Sequence, residues 1–78
     1  MPFKKGDIVA RASNGVTKAG GSTTKIPAGT LGRICTVVSP GVSYYVFYPS
    51  LSENGCVKQF QNLLVAASGK VKACPPDC

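Results

Sequence analysis

The chain has 78 residues, nine of them Lys or Arg against three acids and no histidine, for a formal net charge of +6. That length holds one domain, near the size at which a single apolar core only just offsets chain entropy, and excludes a second. The missing histidine excludes any Ser–His or Cys–His nucleophile pair, and no apolar run approaches the length of a membrane-spanning helix.

Met1-Pro2-Phe3-Lys4-Lys5 lacks the apolar core of a secretory leader, so the expectation is an unprocessed chain without a signal peptide, placed in the cytoplasm. Gly6-Asp7-Ile8-Val9-Ala10-Arg11-Ala12 joins a turn signal to β-branched residues and predicts a first strand. Ser13-Asn14-Gly15 and Ala19-Gly20-Gly21-Ser22-Thr23-Thr24 are small, turn-forming residues, which predicts a long mobile loop from Ser13 to Lys25. In Ile26-Pro27-Ala28-Gly29-Thr30, Pro27 fixes one backbone angle and Gly29 can take a positive φ, marking a tight turn that feeds a strand through Val38. Ser39-Pro40-Gly41 punctuates, and Val42 to Tyr48 forms a third strand. Glu53-Asn54-Gly55 supplies a hairpin turn from which Cys56 to Phe60 pairs back antiparallel. Gln61-Asn62-Leu63 makes a helical half-turn into a last strand, Leu63 to Ala67, and residues 68–78 form a separate tail.

The third strand poses the main question, because Tyr44, Tyr45, Val46, Phe47 and Tyr48 follow one another without a polar residue. Period two sends Val42, Tyr44, Val46 and Tyr48 to one side and Ser43, Tyr45 and Phe47 to the other. The first set carries both valines and is placed inward, beside Ile8, Ile34, Val37, Val57 and Leu63. Tyr45 and Phe47 then point outward, where leaving such rings wet forgoes a few kcal/mol each at ~25 cal/mol per Å². The Gly/Ser/Thr-rich loop, the tail or another protein chain is expected to cover them, and they are the candidate protein interface.

The basic residues are scattered. Lys4, Lys5, Arg11, Arg33 and Lys58 form a second candidate site, for the phosphates of a nucleic acid, although the aromatic strand itself carries no Lys or Arg. Cys74-Pro75-Pro76-Asp77-Cys78 can close a small disulfide loop between Cys74 and Cys78 in an oxidising setting. Cys35 and Cys56 read as small packing residues; without Cys-x2-Cys knuckles no metal is expected, and no cofactor either. Asp7, Glu53 and Asp77 are spread over a turn, a loop and the tail, so no catalytic residues are assigned.

The segments Lys5-Gly6-Asp7-Ile8-Val9, Ile26-Pro27-Ala28-Gly29-Thr30-Leu31-Gly32-Arg33-Ile34, Tyr44-Tyr45-Val46-Phe47-Tyr48 and Asn62-Leu63-Leu64-Val65 resemble successive strands of SH3-like small β-barrels. The likeness is to the group that includes KOW-type modules and small accessory subunits, and it covers residues 4 to 67. It implies an all-β fold: one five-stranded SH3-like barrel over residues 1–67 with a long first loop, then the short tail 68–78. The group contains an enzymatic branch, the oligomeric type II dihydrofolate reductases, whose late-strand signature is Val-Gln-Ile-Tyr. Here Cys56-Val57-Lys58-Gln59-Phe60-Gln61 has a valine and a glutamine that are not adjacent, and neither Ile nor Tyr follows. The expectation is therefore a non-enzymatic protein-binding or assembly subunit, with a protein partner or its own copies, such as a capsid decoration protein in a virion if virus-encoded. The competing expectations are a basic nucleic-acid-binding barrel and an oligomeric enzyme like the type II dihydrofolate reductases; no membrane partner is expected.

Overall fold

The computed structural model describes residues 3–19, 22–50 and 56–76. The structure is all-β: β1 (Ile8–Arg11), β2 (Gly15–Ala19), β3 (Ser22–Ile26), β4 (Leu31–Ser39), β5 (Ser43–Phe47), β6 (Cys56–Phe60) and β7 (Leu64–Ala66), with a 3-10 turn, Gln61–Leu63, leading into β7. Five strands form one antiparallel sheet in the order β6-β5-β4-β1-β7, and β2 and β3 form a hairpin of their own. Among the described residues no helix is long and apolar enough to cross a membrane.

Two expectations change. The segment from Ser13 to Lys25 is not a loop but the β2–β3 hairpin, paired from Gly15↔Ile26 to Ala19↔Ser22. Its β-branched Val16, Thr17, Thr23 and Thr24 are residue types that favour a pleated backbone. The sheet also does not close into a barrel; the described residues form seven strands in two sheets rather than five in one. The Glu53-Asn54-Gly55 turn lies outside the described residues. The other turn expectations hold: Gly29 has φ +86° after Pro27, and the half-turn before the last strand is the 3-10 turn.

The core lies on one face of the sheet. Val9, Ile34, Tyr44, Val46, Tyr48, Val57 and Leu64 meet there with Ile26 from the end of the hairpin, and Phe3 and Val37 pack against them. Tyr44, Val46 and Tyr48 are inward as period two requires, but Val42 precedes β5 and is 54% exposed. On the flanking strands the core takes Val9 where Ile8 was expected, and Leu64 where Leu63 was. Both are neighbours in runs of apolar residues, and a shift of one position exchanges the faces of a strand. Gly32 sits opposite Val9, where a Cβ would come 2.8 Å from both Tyr48 Cδ1 and Val46 Cγ1, so the tyrosine ring packs directly on backbone.

The Tyr44 hydroxyl ties three segments to this core. It accepts from Phe3 N at 3.1 Å and Gly41 N at 3.0 Å and donates to Gln61 Oε1. The Phe3 ring meets the Tyr44 ring edge to face, with centroids 5.6 Å apart. Deep burial of a tyrosine thus leaves no unmet polar group.

The tail, set apart by composition, is fastened to the opposite face of the sheet. β4 carries register shifts between Ile34 and Thr36 and between Val37 and Ser39, so Ile34 and Val37 both face the core. Cys35, the extra residue of the first shift, bonds Cys74 across 39 positions. Arg33 donates from Nη2 to Val71 O at 2.6 Å and from Nε to Lys72 O at 3.2 Å. Cys74 is therefore joined to Cys35 rather than to Cys78, which lies outside the described residues, and Cys56 is disulfide-bonded as well. Neither Cys35 nor Cys56 is the simple packing residue expected of it.

Candidate functional site

The outer face of the sheet divides into a covered and an open half. Register places Phe47 between Arg33 of β4 and Cys56 of β6. It is only 2% exposed, which corrects the expectation that its ring is an outward contact. The tail held by Arg33 and Cys35 is the described segment that passes over this end of the sheet, and nothing local to β5 announces it.

Two pleats along, the cover stops. Tyr45 lies between Thr36 and Lys58 and is 40% exposed. Phe60 pairs with Ser43 and is 50% exposed, so it stands diagonally beside Tyr45 on the same face. The Lys58 ammonium rests 5.9 Å from the Phe60 ring centroid, and Lys58 is the register partner of Tyr45. Val42, whose carbonyl accepts the Gln61 N–H, shares a shallow groove with Gly41, Phe60, Gln61 and Asn62. Tyr45 and Phe60 thus leave two exposed rings on the outer face of β5 and β6 with one cation beside them, and Val42 meets Phe60 in the groove at its edge. Phe60 is the residue that sequence reasoning missed. Its signal was present, because pairing β6 back on β5 from the Asn-Gly turn sets alternate residues Lys58 and Phe60 on the Tyr45 side.

The candidate phosphate ligands do not come together as a set. Arg11 is on the inner face, 5% exposed, where Nη1 donates to Gln59 Oε1 at 2.8 Å and Nε to Ser13 O at 3.2 Å. Tyr48 donates to the same Gln59 oxygen at 3.3 Å, and burial pushes its phenol up to about 12 while the Arg11 charge works in the opposite direction. Gln59, the glutamine of the dihydrofolate reductase comparison, is 3% exposed and committed to this buried network. The Arg33 guanidinium is engaged by the tail and by Gly6 O. Lys58 belongs to the aromatic surface, while Lys4 and Lys5 are exposed on the turn before β1. Among the described residues no three of His, Cys, Asp and Glu gather as metal ligands would.

No protein-family model, curated protein or solved structure matches the chain. The functional reading rests on the geometry alone.

Proposed function

We propose that the chain is a non-enzymatic binding subunit that joins a protein assembly through the open half of its outer sheet face. The carrying observation is the pair of exposed rings, Tyr45 and Phe60, at diagonal positions on one face of adjacent strands. Interfaces concentrate energy in such aromatic residues at a desolvated centre. An SH3-like arrangement fits this reading: β4, β5 and β6 form a meander, the β2–β3 hairpin elaborates the first connection, and a 3-10 turn returns the chain to β7 beside β1.

The partner that can be tested directly is a second copy. Sedimentation or light scattering should give a particle heavier than one chain, and Tyr45→Ser with Phe60→Ser should reduce it to one chain without changing its circular dichroism. Because each copy carries +6, association through this face should hold or tighten as salt rises. A wild type that stays monomeric at every concentration, or association that survives the double substitution, overturns the reading.

A further inference from the structure

Two basic segments far apart in sequence meet on one guanidinium. Arg33 Nη1 donates to Gly6 O at 3.2 Å, on the turn that carries Lys4 and Lys5. Its Nη2 and Nε donate to Val71 O and Lys72 O, on the tail that carries Lys70 and Lys72. The Cys35–Cys74 bond fixes the same tail two residues further on, and Gly6 N donates to Ile34 O at 2.7 Å, fixing the turn beside it. Lys4, Lys5, Lys70 and Lys72 are all exposed, and each lies within two residues of a carbonyl that Arg33 holds. Asp7, the acid of this turn, directs Oδ2 to the Lys4 backbone N–H at 2.9 Å.

We propose that this lysine cluster binds the phosphate backbone of a nucleic acid without reading its sequence. Ammonium groups on a fixed scaffold supply what phosphate contacts need, and such contacts position a chain without identifying bases. Among the described residues the exposed rings, Tyr45 and Phe60, are on β5 and β6 rather than beside these lysines, and Phe3 packs against the core. A protein interface is depleted of lysine at its centre, whereas four of this cluster's exposed side chains are lysines. Fastening the tail at Arg33 and Cys35 holds two of the four lysines in place before a ligand arrives, lowering the ordering cost of binding. The site is separate from the Tyr45–Phe60 surface and does not depend on it.

Anisotropy of a labelled DNA duplex, titrated with the full chain in its disulfide-bonded form, tests this. Four neutralised phosphates give a log–log salt slope of roughly −3.6, an affinity loss of roughly 150-fold between about 50 and 200 mM salt. Lys70→Gln with Lys72→Gln should cut the slope to roughly half, and Lys4→Gln with Lys5→Gln should do the same. Lys25→Gln, on the hairpin, should leave it unchanged. No binding at low salt, a slope indifferent to either pair, or binding of polyglutamate or anionic lipid vesicles as tight as that of DNA overturns the proposal.

Discussion

Replacing both Cys35 and Cys74 with alanine should remove a large share of the stability of this fold. The bond spans 39 positions, and closing a loop of that length takes about 13 cal/mol/K from the entropy of the unfolded chain, or about 4 kcal/mol at 298 K. A chain of 78 residues has a total stability of roughly 4–12 kcal/mol, so the double variant should sit close to the edge of folding. Its melting temperature should fall by on the order of 20 °C. A reductant would be the wrong perturbation, because Cys56 is also disulfide-bonded and more than one cross-link would open. Urea titration followed by tyrosine fluorescence measures the effect directly, since the chain has no tryptophan and Tyr44 and Tyr48 are buried. The midpoint should fall and the m value should rise, because an unlinked denatured chain exposes more surface. A loss below about 1 kcal/mol with an unchanged m value would refute the view that this cross-link works by restricting the unfolded state.

Two further outcomes follow from the interior. Tyr48 holds its proton more tightly folded than unfolded, with its phenol raised to about 12 from 10, so its contribution is complete below pH 10 and declines as pH climbs toward 12. The decline should reach on the order of 3 kcal/mol; urea titrations across that window should show the wild-type curve falling towards that of Tyr48→Phe, and parallel curves would contradict the cause given. Gly32→Ala would drive a methyl against the Tyr48 ring and Val46, costing about 1–3 kcal/mol in urea midpoint, and adding Val46→Ala should recover part of the loss. A neutral Gly32→Ala would mean that the ring is free to move.

Local patterning was readable where it was unambiguous. Tyr44, Val46 and Tyr48 point inward and Tyr45 outward because alternation along β5 leaves no other choice. Ile8-Val9 and Leu63-Leu64 offered adjacent apolar residues, and only pairing between strands could choose Val9 and Leu64. Phe47 obeys the alternation yet is buried, which the pattern of β5 alone does not announce. Cysteine partners are not legible from spacing, and the Arg33 clamp that gathers Lys70 and Lys72 with Lys4 and Lys5 is equally non-local. Arg11 looked like a surface cation because lone arginines usually are. Its burial depends on Gln59 and Ser13 both being within reach, which the linear order does not reveal.

The sheet places β7 against β1, joining Val9 to Ala66 and Arg11 to Leu64. During synthesis β1 must therefore wait for the intervening strands and β7 to emerge before its second edge is satisfied. Until then the nascent protein presents an unpaired strand end to its neighbours, so crowded polysomes favour aggregation of the partly made product. The sheet is complete only once β7 has emerged and docked on β1.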